Sequence, residues 1–112
     1  MSENSILTDH QYIVFELEKQ IFGIDILKVQ TIEVMLPITK IPSSFEYFEG
    51  IINLRGEVIP IISLKKKLDL KESESKQAKI ITMYIRDAKI GIIVDEAKDV
   101  VRIANEDVDT SM

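Results

Sequence analysis

Gly50-Ile51-Ile52-Asn53-Leu54-Arg55-Gly56-Glu57-Val58-Ile59-Pro60-Ile61-Ile62 is the stretch whose reading decides the fold. Its isoleucines and valine are branched at Cβ, which suits a pleated strand better than a helix. Arg55-Gly56-Glu57 reads as a turn, and residues 58–62 read as a buried strand entered from it. Pro60 has no amide for a ladder, so it predicts an edge position or a bulge. Gly50 is expected to close the preceding element, and both Gly50 and Gly56 to act as structural turn residues with positive φ. Arg55, alone between them, has two readings. It pairs with a carboxylate of its own chain, or it projects from the loop as an anchor for a partner.

The same β character spreads outward in both directions. Residues 11–17 alternate, with Tyr12, Val14 and Glu16 on one face and Ile13, Phe15 and Leu17 on the other. Glu18-Lys19-Gln20 is a turn, and residues 21–24 complete a hairpin. Asp25 is an N-cap for a short helical turn over residues 26–30. A strand at 31–35 ends at Leu36-Pro37, and 38–41 is extended ahead of Pro42. Ser43-Ser44 caps a short helix through Phe45, Tyr47 and Phe48. Beyond the central stretch come a short helix at 64–68, a charged and mobile surface loop at 69–77, and a hairpin of 78–85 and 89–94 closed by Arg86-Asp87-Ala88. A short turn at 95–99 precedes a last strand at 100–103. Seven or eight short strands with no long helix predict an all-β fold of small barrels rather than a parallel sheet with crossover helices.

The bulk numbers bound the rest. At 112 residues the chain is one domain. The formal net charge of −5 argues against tracking nucleic-acid phosphates. Lys65-Lys66-Lys67 is the one basic run and reads as the solvated side of a short helix. No apolar stretch reaches the ~20 residues that span a bilayer, so no membrane insertion is expected. There is no cysteine, and the one histidine, His10, falls in a polar N-terminal tail. The four glycines make no phosphate loop. Asp95, Glu96 and Asp99 read as a solvated acidic turn rather than a cation site. The sequence therefore predicts no catalytic residues, no metal and no cofactor.

Gly50-x-x-Asn53-Leu54-Arg55-Gly56-x-x-x-Pro60-Ile61-Ile62-x-Leu64 resembles the signature of CheW-like domains. Two further blocks are similar in the same order, residues 22–30 and 91–100. The resemblance covers residues 12–103, flanked by tails at 1–11 and 104–112. It implies two SH3-like β-barrel subdomains with short helices, packed around a shared apolar seam. It also implies a cytoplasmic, non-catalytic adaptor at the receptor array. The partners would be chemoreceptor signalling tips and the regulatory domain of the histidine kinase CheA. The alternative is the CheW-like part of a larger kinase or adaptor–receiver fusion. Alignment with the family puts partner-binding positions at Val29, Arg55, Gly91 and Val100, and at Thr31, where the family often carries an acid.

The family fold continues past the position of Ile103 with a returning segment, so the barrels are expected to be incomplete here. An edge left open at residues 100–103 is a template for pairing. The chain is accordingly expected to form a homo-oligomer by strand exchange, with 69–77 as the hinge.

Overall fold

The computed structural model describes residues 10–43 and 45–103. Among these described residues there are eight strands: β1 (His10–Leu17), β2 (Gln20–Asp25), β3 (Val29–Val34), β4 (Phe48–Leu54), β5 (Glu57–Ser63), β6 (Lys79–Ile85), β7 (Ala88–Val94) and β8 (Glu96–Ile103). A 3-10 turn spans Ile26–Lys28, and one short helix, α1, spans Leu64–Lys67. The small sheet has the order β2-β1-β8 and the large sheet the order β3-β6-β7-β5-β4. The all-β class holds, and among the described residues neither sheet closes into a barrel.

Alternation along β1 seats Ile13, Phe15 and Leu17 in the core and leaves Tyr12, Val14 and Glu16 half-exposed, as the sequence predicts. Against them pack Ile81, Met83, Ile92 and Val94 of the large sheet, forming a seam between the two sheets. A second cluster, Ile52, Leu54, Ile59, Ile61 and Ile80, fills the other side of the large sheet. Neighbouring residues Ile80 and Ile81 serve different clusters, so β6 is buried on both faces.

Three hairpins turn on two residues with both φ angles positive: Glu18-Lys19, Arg55-Gly56 and Arg86-Asp87. This mirror-image geometry matches the right-handed twist of the strands it joins. The expected turn at Gly56 is present, with φ 86°, and its amide donates to Asn53 Oδ1 at 3.0 Å. Gln20 and Ala88, expected in turns, instead pair with Leu17 and Ile85.

Several expectations are corrected. Gly50 lies inside β4 beside a register shift, not in a turn. Its φ is 146°, and a Cβ there would sit 2.2 Å from the Thr39 carbonyl oxygen. The close approach exists because Thr39 and Ile51 exchange backbone hydrogen bonds of 2.8 and 2.9 Å. Pro60 sits in β5, an interior strand. It pairs with Ile51, whose own N–H and C=O are turned to Thr39, so Pro60 is not asked to donate to β4. On the other side the ladder to β7 starts only at Ile61.

Phe45, Tyr47 and Phe48 form no helix. Ser43 Oγ accepts the Phe45 amide at 3.1 Å in a local turn, and Phe48 enters β4 opposite Ile62. Asp25 does cap, accepting the Leu27 amide at 2.9 Å, but Val29 and Gln30 join β3 instead of extending the turn. Residues 96–99 belong to β8, and only Asp95 separates it from β7. His10 and Gln11 are part of β1, paired with Ile103 and Arg102, not of a tail. Strands β5 and β7 run parallel, with α1 and β6 in the crossover between them. Residues 1–9, Ser44 and the tail at 104–112 lie outside the described residues.

The two glycines should separate experimentally. Gly50→Ala drives a methyl into backbone and should cost about 2–3 kcal/mol. Gly56 has nothing within 4 Å of a built Cβ, so Gly56→Ala should cost only the left-handed conformation, about 1–2 kcal/mol. Urea unfolding of both variants checks this; the reverse ranking would contradict the assignment.

Candidate functional site

Paired backbone positions run across the large sheet in one row: Thr31, Thr82, Gly91, Ile61 and Gly50. Two of the sequence-selected partner residues, Thr31 and Gly91, are therefore separated only by Thr82. The Thr31 amide donates to Thr82 Oγ1 at 3.0 Å, and the two hydroxyls are 2.6 Å apart. Gly91 is buried, and a Cβ there would lie 2.7 Å from Ile61 Cδ1 and 3.0 Å from Ile80 Cγ2. Gly91 thus lets β7 pack closely and presents no side chain to a partner.

Val29 is half-buried, pairs with Met83 and packs on the inter-sheet seam. Val100 lies in the small sheet opposite Ile13 and is 53% exposed. The five selected positions are consequently not one cluster. They are spread over the row, the seam, the β4–β5 turn that holds Arg55, and the edge strand β8.

Arg55 pairs with a carboxylate of its own chain and stays largely exposed on its turn. Its guanidinium donates to Glu33 Oε2 at 2.9 Å, while its side chain remains 67% exposed. That bond first, and one from the Thr31 hydroxyl second, hold the Glu33 carboxyl below the usual carboxylate range. Arg55 leaves the β4–β5 turn and Glu33 belongs to β3, the opposite edge of the sheet, so the ion pair spans a strongly curled sheet.

Between the two sheets opens an apolar cleft of about 280 Å³. Phe15, Phe22 and Ile24 line it from the small sheet, and Leu64, Met83 and Ile85 from the other side. The Phe15 and Phe22 rings stack, centroids 5.7 Å apart. Sequence reading identified the buried face of β1 from its alternation, and the shared seam only as what the family resemblance implies. It missed the cleft, because the lining comes from five strands and a helix that only pairing brings together.

The basic run is corrected. Lys65 is 7% exposed, not solvated. Its ammonium lies 2.6 Å from Asp95 Oδ1, 3.2 Å from Glu18 Oε2 and 2.5 Å from the Ser73 carbonyl oxygen. Asp95, read as part of a solvated acidic turn, is instead held from several sides. Its Oδ2 accepts the Glu18 amide at 2.7 Å, and its carbonyl accepts Ser75 Oγ at 2.8 Å. Segment 69–77 is correspondingly tied down through Ser73, Ser75 and the packing of Leu70, which removes the basis for calling it a hinge. Lys66 pairs with Glu49 at 2.8 Å, and the Lys67 ammonium stands 4.4 Å from the Tyr47 ring centroid. Among the described residues no group of three or more His, Cys, Asp or Glu is placed to hold a metal ion. No helix among them is long and apolar enough to cross a membrane.

These ion pairs set a pH profile. Glu18 is held below its ordinary value by the Ser73 hydroxyl first and by Lys65 as well. Burial alone would pull the Lys65 ammonium down, but its bonds to Asp95 and Glu18 outweigh that and raise it. The bond to Glu49 raises Lys66. A lowered carboxylate contributes stability above its ordinary pKa, near 4.5, that is lost as pH falls through the folded value. A raised ammonium contributes stability below 10.5 that is lost as pH rises through its folded value. Thermal melts should therefore show a plateau around neutrality, with losses only on the acid and alkaline sides; a step near pH 7 would contradict these assignments.

The comparisons with known proteins bear on what such a surface belongs to. The family model for the CheW-like domain matches residues 11–111. Relatives named "Chemotaxis protein CheW" include that of Treponema pallidum, 36% identical over 103 residues, covering 88% of this chain and 61% of the relative. That of Bacillus subtilis is 36% identical over 107 residues, covering 95% and 69%. The chain thus spans roughly two thirds of the length of the relatives it matches. The crystal structure of the scaffolding protein TtCheW from Thermoanaerobacter tengcongensis superposes with a TM-score of 0.84 at 38% identity, covering 91% of this chain and 75% of that one. Family model, relatives and superposition agree: this chain belongs to the CheW-like domain family.

Proposed function

We propose that the chain is a non-catalytic coupling adaptor of bacterial chemotaxis, working in the cytoplasm at the receptor array. It would join the cytoplasmic tip of a chemoreceptor to the regulatory domain of the histidine kinase CheA. The observation that carries this reading is the apolar cleft between the sheets. A groove lined by aliphatic and aromatic side chains suits the apolar face of a helix. Arg55, exposed at a turn yet oriented by Glu33, adds a charged anchor beyond the cleft. The relatives' names, chemotaxis protein and scaffolding protein, support the same assignment. They favour the free-standing adaptor over a portion of a kinase or receiver fusion.

Self-association has separate support. Among the described residues β8 pairs only with β1, leaving its other edge open. Val100, on the face it shares with core residue Ile13, remains exposed. An open edge with an uncovered apolar side chain invites a second strand. A second copy pairing there is the proposed homo-oligomer.

Arg55→Ala tests the adaptor reading, because the loss of an interface anchor typically costs ~2 kcal/mol or more. Titration with the CheA regulatory domain and with a receptor cytoplasmic fragment should show that weakening for at least one partner, while circular dichroism stays unchanged. Wild-type affinity for both would remove Arg55 from the surface.

A further inference from the structure

We propose that Lys65 is a latch that fixes the angle between the two sheets and thereby the width of the apolar cleft. The chain crosses between the sheets at two places, the 3-10 turn Ile26–Lys28 and the single residue Asp95. Two such short crossings permit the sheets to rotate as units about the line that joins them. The seam between them is apolar, and apolar burial favours contact without prescribing direction. The directional contacts at the second crossing meet at Asp95. Its amide donates to the Glu16 carbonyl at 2.9 Å, and its Oδ2 accepts the Glu18 amide. Its Oδ1 pairs with the Lys65 ammonium, the contact that ties α1 to them.

That ammonium gathers four separate parts of the chain at one point. Lys65 comes from α1, which follows a strand of the large sheet. Asp95 is the crossing itself. Glu18 comes from the β1–β2 turn of the small sheet, and its amide also donates to Asp95. Ser73 comes from the segment strapped over the junction, where its carbonyl accepts from Lys65 and its hydroxyl donates to Glu18. Glu18 has positive φ, 47°, so the same contacts hold a turn residue in a conformation that costs energy. The latch carries two carboxylates for one ammonium. Removing the ammonium leaves like charges facing each other across the sheet boundary, which drives them apart. Leu64, next to Lys65, lines the cleft, so movement of α1 changes the cleft directly.

The cysteine-free chain allows a clean distance measurement. Spin labels at Ile21→Cys in the small sheet and Val58→Cys in the large one occupy exposed positions. Pulsed dipolar spectroscopy should give one narrow distance distribution for the parent and for Lys65→Arg. Lys65→Met should give a broadened and shifted one. Ser73→Glu adds a third carboxylate beside Glu18 without cutting into the core, and should do the same should Lys65→Met fail to fold. A folded Lys65→Met or Ser73→Glu protein with the parent's distribution would overturn the latch. Titration of the same variants with a receptor cytoplasmic fragment separates this from the function proposed above. A shifted distribution with undiminished receptor binding leaves the latch standing and removes the cleft as the receptor site.

Discussion

Burial of one seam organises this molecule. Ile13, Phe15 and Leu17 of the small sheet meet Ile81, Met83, Ile92 and Val94 of the large one, and each is less than a tenth exposed. Fully burying side chains of this size contributes about 1.5–3 kcal/mol each, against a total stability of only ~5–15 kcal/mol for a domain. A three-stranded sheet with one apolar face has few other ways to cover that face. The small sheet is therefore stable only as a lid on the large one, and every surface between them exists because of that contact. The seam supplies strength, while the ion pairs of Lys65 with Asp95 and Glu18 supply register. Both carboxylates meet one ammonium at the residue where the chain steps from one sheet to the other.

Much of this was legible in the residues. The alternation at 11–17 predicts β1 and its buried face because a strand has a side-chain period of two. Asp25 as a cap and Gly56 as a turn follow from local chemistry that no distant contact overrides. What escaped is non-local. Pro60 reads as an edge residue unless it is known that Ile51 faces Thr39 and that β7 meets β5 only from Ile61 onward. The helix expected at 45–48 gives way to the pairing of Phe48 with Ile62. Lys65 looks solvated beside two other lysines because its partners lie at positions 18 and 95, far along the chain.

The candidate site was less legible than the fold. The family resemblance picked out Thr31, Gly91, Arg55, Val29 and Val100, and pairing brings Thr31 and Gly91 into one row. Gly91 turned out to be a packing residue, since the space a side chain would need is taken by Ile61 and Ile80. Glu33 was not singled out, although it decides where the Arg55 guanidinium points. The cleft could not be read at all, since its walls come from strands whose order is not the order of the chain.

The defining property of the proposed adaptor role is that two partners bind the chain together. A hydrophobic cleft between the sheets and a charged turn at the end of the large sheet are separate surfaces, and separate surfaces permit simultaneous occupancy. The direct measurement is sedimentation of receptor cytoplasmic fragments displayed on lipid discs, mixed with the CheA regulatory domain, with and without this chain. The account predicts that the kinase domain enters the receptor fraction in proportion to the chain added. Binding of one partner that displaces the other, or a kinase domain whose sedimentation ignores the chain, would contradict it.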